Sequence, residues 1–564
     1  MLPSRRSSNG FTELTPDEAA ADVVGQIANT GVRRIRLVSS VHAVWLNEQL
    51  RIVVVSRSNG AQARLAGEGT TLRPMEDGSC RMPSVTLRPG NRGPRRPVRG
   101  VWSHSHPHGA PRRPGMMNTV MQFSAPSAVE PFYSCVRPNQ PIVLFRGRVD
   151  LVGIARTERY RGGIVLDWLP SPTVRTWVRG AASELATDAI MGTADVAITP
   201  RTPRRTVPRQ SKTTRGGPRN VAMSFETGSH LLKHECGDGA AALSHGLLHV
   251  ANFPGLHGRT VAWPDGSLDP GRLLLEGSGW TMALDPVQNV AALENELKKD
   301  GGFALTHTAK VKRTSGATFT SADLQDLTDA FTFFCWLCTE ARCGPMLPVG
   351  FDHQGRAVWT RWNPTRTESF PAARTWLDTL HASEAETLFP TFMARFGDPY
   401  WRQVLIHAIA YLVEAGRPNT VERAIIMAQV LLEAVSYSWL VEERELRTHD
   451  GFEDRTAAEN IRAMLLDMKV PVAIPKNLPA LATTRSKKGG PVDGPQALVL
   501  KRNEIVHHRG AAPTPNYDPL IDAWRLGAWY SELVVLRLCG FNGRYRSRLS
   551  DNVWTGVVEP VPWR

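Results

Sequence analysis

The chain has 564 residues, 42% of them hydrophobic and 16 of them Trp, with a formal net charge of +14. At roughly 100–200 residues per domain this is about three domains of globular protein, too rich in apolar side chains for wholesale disorder. Apolar runs such as residues 404–413 are too short to span a bilayer, the first residues lack the apolar stretch of a secretory signal, and seven cysteines do not make a disulfide scaffold. A cytoplasmic protein with reduced thiols and no use of a membrane is expected.

Residues 1–116 read as a mixed α/β segment. Thr15-Pro16-Asp17-Glu18 starts a helix that runs to about Thr30, with a Thr cap, Pro in the first turn and acids at the positive helix end. Strands are predicted at residues 34–38 and 51–55. A Pro/Arg-rich loop follows. Residues 78–129 hold no acid and eight arginines, among them Arg95, Arg96 and Arg99. Residues 196–225 repeat the pattern with seven bases, including Arg204, Arg205 and Arg209. The rest of the chain is close to neutral, so the basic character sits in two loops. Such loops attract phosphate backbones without reading sequence, and the six arginines named are the nucleic-acid-binding candidates; the alternative is a solvated linker. His104, His106 and His108 alternate within the first loop as metal ligands can, but no acid or cysteine lies near, and no metal or other cofactor is expected.

Residues 117–320 form a mostly strand-like region, sandwich- or barrel-like, interrupted by the second basic loop. Short apolar runs at 142–149, 163–168, 246–250 and 272–276, and alternating ones at 259–263 and 303–311, are bounded by turn residues. Residues 321–384 form a connector. Its helix starts at Ser321, capped by Thr320 or Ser321, and runs to about Arg342; a short strand pair follows at 347–350 and 357–361. Within that helix Cys335 and Cys338 spell C-x-x-C among aromatic residues. With no second pair to complete a zinc site, burial is the simpler reading beside metal or redox work.

Residues 385–549 read as helix almost throughout, with segments at 385–396, 399–415, 419–447, 454–469, 495–509 and 518–540, before a tail at 550–564. The fold class is therefore α+β, a β-rich part followed by an all-α bundle. The helix from Thr420 is apolar on more than one face, and its Glu433 calls for a cationic or amide partner from another helix. Residues 471–495 read as an exposed loop.

The chemistry concentrates in Arg502-Asn503-Glu504-Ile505-Val506-His507, late in a helix closed by Gly510 and Pro513. Asn503 and His507 lie one turn apart on one face; Arg502 sits roughly 140° away around the axis, a geometry eased if a two-fold axis brings two copies of the motif together. These residue types suit RNA cleavage by the 2′-hydroxyl. Histidine is a base near neutral pH, arginine a planar fork for phosphate oxygens, and asparagine can hold either the imidazole or the phosphate. An exposed helix face is the alternative, and His508 with Glu504 four residues earlier illustrates it.

The run R-N-E-I-V-H-H, the closing helix from Leu520 to Gly540 and the Leu-Glu-Ala centre of the helix at 423–435 together resemble the end of a HEPN ribonuclease domain, most closely its Apea-like subgroup, over about residues 390–545. The resemblance implies a dimerising helical bundle, metal-independent cleavage of RNA, tRNA included, to 2′,3′-cyclic phosphate ends, and a toxin or abortive-infection role against phage. It carries Arg502, Asn503 and His507 as active-site residues, with the β-rich part recognising a trigger or substrate. The competing expectation is a non-catalytic nucleic-acid-binding protein that uses the helical domain to dimerise.

Overall fold

The computed structural model describes residues 42–46, 50–54, 125–152, 156–179, 195–198, 222–226, 235–370, 375–417, 420–507, 517–552 and 554–564. The chain divides into two compact units, Met1–Asn118 and Thr119–Arg564. In the first, β1 (His42–Leu46) and β2 (Leu50–Val54) pair antiparallel, β2 falling on the second predicted strand. The expected helix at 15–30, the strand at 34–38 and the arginine loop with its three histidines lie outside the described residues.

The second unit begins its sheets with β3 (Ile142–Val152), β4 (Thr157–Asp167), β5 (Thr173–Arg179), β6 (Asp195–Ile198) and β7 (Ala222–Glu226), an antiparallel sheet in the order β6-β3-β4-β5-β7. An eight-stranded sheet follows, built from β8 (Glu235–Gly237), β9 (His245–Ala251), β10 (Arg259–Ala262), β11 (Leu268–Gly277), β12 (Trp280–Pro286), β13 (Leu305–Arg313), β14 (Gly344–Phe351) and β15 (Ala357–Arg361). Its order, β10-β11-β12-β13-β9-β14-β15-β8, places β14 and β15 between β9 and the edge strand β8. The expected boundary at residue 320 is thus corrected. The presumed connector supplies two strands of the sheet and the helix α2 (Ser321–Thr339) on its face, because β14 finds its hydrogen-bond partners on β9, nearly 100 residues earlier. A helix also interrupts the expected strand region: α1 (Val290–Asp300) buries Leu293 and Leu297, but its cap position Asn289 gives no side-chain hydrogen bond, so the usual start signal is missing.

Period-two alternation splits the large sheet's side chains between two cores. Leu248, Val250, Met282, Leu284, Ala309 and Val311 face α2 and the helical part in one continuous core that reaches Trp563. Leu247, Ala251, Leu305 and Val349 face the five-stranded sheet, meeting Ile142, Leu144, Ile164 and Leu166. The segment before β3 is tied across this second face by a buried histidine. His249 Nε2 accepts from the Phe132 and Tyr133 amides at 3.0 and 2.9 Å, and its Nδ1 lies 3.0 Å from the Leu347 carbonyl. A ring that accepts at Nε2 and faces a carbonyl at Nδ1 is the neutral Nδ1–H tautomer. Burial accordingly pushes its pKa down to about 4, and that of the equally buried His307 to about 3.

α2 opens with a capping box, Thr320 accepting from the Asp323 amide while Asp323 returns the bond. It carries Cys335 and Cys338 into the core. Both are buried free thiols whose pKa burial raises far above the ordinary value, which fits a structural role.

The helical part comprises α3 (Ser383–Gly397), α4 (Pro399–Gly416), α5 (Val421–Tyr437), α6 (His449–Glu453), α7 (Ala457–Asp467), α8 (Gly494–Val506) and α9 (Asp518–Leu538), close to the periodicity-based segments. The long helix predicted from Thr420 stops being α-helical at Tyr437 and continues as a π-helical turn, Ser438–Glu443. α5 packs against α4, α7, α8 and α9. By length and composition Val421–Glu443 is apolar enough to cross a membrane, yet 61% of its apolar window is buried inside the protein. Glu433 lies half-buried, and its amide partner is Gln429 of the same helix at 3.2 Å rather than a residue of another helix. Gly527 of α9 permits a close crossing, since a Cβ there would stand 2.9 Å from Ala428 and 3.2 Å from Leu498.

The segment expected to be an exposed loop is packed, and so is the C-terminal tail. Within residues 471–495, Leu478 and Leu481 are fully buried and the Ala480 and Leu481 amides donate to Asp522. In the tail, β17 (Glu559–Pro560) pairs with β16 (Arg544–Tyr545), and Trp563 is buried with its indole donating to the Phe541 carbonyl at 2.7 Å.

Candidate active site

The helix that carries the candidate residues is anchored at its start. Asp493 caps α8 by accepting from the Gln496 amide at 3.1 Å and holds Arg462 of α7 through two hydrogen bonds, one of 2.9 Å. Pro495 opens the first turn, and Ala497 and Leu498 are buried. From there the helix emerges, and its last two turns hold the motif.

Arg502 and Asn503 come together, the guanidinium Nη1 donating to Asn503 Oδ1 at 3.1 Å. Both are half-buried. No carboxylate among the described residues pairs with Arg502, whereas neighbouring Lys501 is engaged by Glu504 at 3.0 Å. Arg502 Nε is buried with no hydrogen-bond partner among the described residues. His507 is exposed and stands at the helix end, with φ −107° and ψ 52°, its amide donating to the Asn503 carbonyl at 2.9 Å. The helix therefore ends three residues before the expected 509. Residues 508–516, and with them the predicted Glu504–His508 pair, lie outside the described residues; Lys501 pairs with Glu504. Chemically, α8 presents an unneutralised planar cation, an amide beside it and an exposed imidazole one turn further on. Arg95, Arg96, Arg99, Arg204, Arg205 and Arg209 also lie outside the described residues, and no group among the described residues has the donor set of a metal site.

Sequence reading missed a charged joint between sheet region and bundle. Arg548 Nη2 bonds Glu340, which ends α2 in a left-handed conformation (φ 45°), and Arg548 Nε lies 2.7 Å from Glu532 of α9. Both glutamates are fully buried. Burial raises the Glu532 pKa far above its ordinary value, with Arg548 opposing and Glu340 adding to the rise. One guanidinium facing two carboxyls is neutral only when the pair of carboxyls keeps one proton. Glu532 stands inside the apolar run Ser-Glu-Leu-Val-Val-Leu at 531–536, which was the one available signal. A second, more open network runs from Arg342 to Glu368 and Glu414, and from Glu414 to Arg423 of α5.

Taken together, the described second unit is an α+β protein in which antiparallel sheets and a helical bundle share a core through buried ions. Comparison with known proteins divides it along the same line. Residues 238–373 match the YopA central domain and residues 398–559 the YopA C-terminal domain. The chain is 25% identical over 297 residues to the SPβ prophage-derived uncharacterized protein YopA of Bacillus subtilis (strain 168), an alignment spanning 52% of this chain and 66% of that protein. No solved structure matches.

Proposed function

We propose that the helical part is a HEPN-type, metal-independent endoribonuclease bundle and that Arg502, Asn503 and His507 form its active site. The observation that carries the reading is the Arg502–Asn503 pair, a cation with no carboxylate partner among the described residues at the emerging end of α8, one turn from an exposed imidazole. In this reading His507 takes the proton from the 2′-hydroxyl as its oxygen attacks the adjacent phosphorus, and Arg502 compensates the charge that builds on the phosphate oxygens. Asn503 orients the Arg502 fork through the 3.1 Å bond. A second copy of the chain brings two motifs together across a two-fold axis. Similarity to a prophage-derived protein suits a toxin or abortive-infection effector with RNA, tRNA included, as substrate, the β-rich part serving to recognise a trigger.

The test is incubation of purified protein with total RNA and tRNA in EDTA, beside His507→Ala and Arg502→Ala. Cleavage to 2′,3′-cyclic phosphate ends, reduced about 10²–10⁴-fold in His507→Ala, is expected. RNA binding without cleavage, unchanged in both variants, would replace this reading with that of a non-catalytic nucleic-acid-binding protein.

A further inference from the structure

The face of the large sheet that turns toward the segment before β3 is not fully covered, and a cleft of about 600 Å³ opens over β12, β13, β9 and β14. That size suits a small ligand. Register sets its floor. Thr281 pairs with Lys312 and Ala283 with Lys310, Lys310 with Leu247, and His245 with Phe351. Two residues apart on one strand, Lys310 and Lys312 project to the same side, about 7 Å from one another, while Ala309 and Val311 point into the core. Both lysines are exposed, and no carboxylate among the described residues pairs with either. The other charges lining the cleft are Arg272, whose fork is closed on Asp285 at 2.7 Å, and Glu130. Net positive potential therefore comes from the two lysines.

Beside them lies a flat aromatic wall. The His245 ring stacks on Phe351 with centroids 4.7 Å apart and planes 7° from parallel. Ser244 Oγ donates to the Asp352 carbonyl at 2.7 Å, so toward His245 Nδ1, 3.1 Å away, it accepts. The imidazole is then the Nδ1–H tautomer with Nε2 left as an acceptor. Burial, with Lys310 nearby, keeps the ring neutral by pushing its pKa down to about 4. Two adjacent ammonium groups, a stacked ring and a neutral acceptor are the complement of a phosphate chain joined to a base.

We propose that this cleft binds a nucleoside phosphate, with Lys310 and Lys312 on the phosphates and the base against the His245–Phe351 stack. The ligand is either a free nucleotide or a nucleotide within a single strand. The site is independent of the ribonuclease reading, since binding here needs neither Arg502 nor His507.

The test measures binding of full-length protein to adenosine triphosphate, to a ten-residue oligo-dA and to inorganic triphosphate, none of which offers an internucleotide 2′-hydroxyl for cleavage. Saturable binding is expected, weakened about tenfold or more in the double variant Lys310→Ala/Lys312→Ala. His245→Ala should weaken the two base-bearing ligands about tenfold and leave inorganic triphosphate unchanged, and His245→Phe should restore part of the loss. Binding of adenosine triphosphate supports the free nucleotide, and binding of oligo-dA alone supports the strand. The proposal is overturned by absence of saturable binding to either, by equal affinity in the double variant, or by inorganic triphosphate binding as tightly as adenosine triphosphate with no effect of His245→Ala.

Discussion

On the sheet side of the molecule two neutral imidazoles are buried, beside the ion pair of Arg272 and Asp285. His249 ties the segment before β3 through two backbone amides, and His307 lies edge-on to Phe253 with centroids 5.2 Å apart. On the helical side a guanidinium and two carboxyls are buried together at the junction of α2, α9 and the segment that follows β16. Imidazole is cheap to bury uncharged, because its proton leaves near neutral pH, whereas arginine cannot lose its charge and must be matched. The two imidazoles should therefore answer to acid, and the Arg548 joint to loss of its single counter-charge.

The largest expected effect breaks the helical side. Arg548→Ala leaves Glu340 and Glu532 buried together without a cation and should cost about 3–5 kcal/mol, read as a drop in the denaturation midpoint. A cost below 1 kcal/mol would show that water reaches the joint. Acid tests the sheet side. His249 and His307 have folded pKa values depressed from 6.5 to about 4 and about 3. Their stability contribution is thus complete above pH 6.5 and is lost as pH falls through the folded values, on the order of 3 kcal/mol for His249. Melting curves from pH 7 to 4 should show this loss, and His249→Gln should flatten part of it. Glu532 has the opposite sign. Its folded pKa is raised, so its contribution is complete below the ordinary glutamate value of 4.5 and is lost as pH rises through the folded one. Glu532→Gln should keep the fold and remove that alkaline loss, a change in the slope of stability against pH rather than in its maximum. The smallest effect is at the α2 cap. Thr320→Ala should cost about 1 kcal/mol by thermal melting, without altering either pH response.

The elements that periodicity revealed are those with one consistent face. The stripes of α3, α4 and α9 and the apolar runs of β9 and β13 were legible because burial on a single face writes a period into the sequence. α1 was not, since two leucines and an uncapped start leave too little pattern. The helix from Thr420 was found but its π-helical turn was not, because the change from Tyr437 to Ser438 leaves no mark in composition. Of the candidate site, the helix that carries it was readable. That Arg502 turns onto Asn503, and that Lys501 takes Glu504, depends on side-chain directions at the helix end.

By itself the sequence determined the α+β division and the order and approximate extent of most described elements, because these follow from local spacing and composition. Tertiary structure decided that β14 and β15 complete the sheet on which α2 lies, and that the 471–495 segment and the C-terminal tail are packed. It also brought Glu340, Glu532 and Arg548 to one buried point and set Lys310, Lys312 and His245 around one cleft. The Glu340–Arg548 bond and the β13–β9 and β14–β9 pairings join residues from about 50 to more than 200 positions apart, and contacts at that range are fixed by how faces pack rather than by any pattern within a segment.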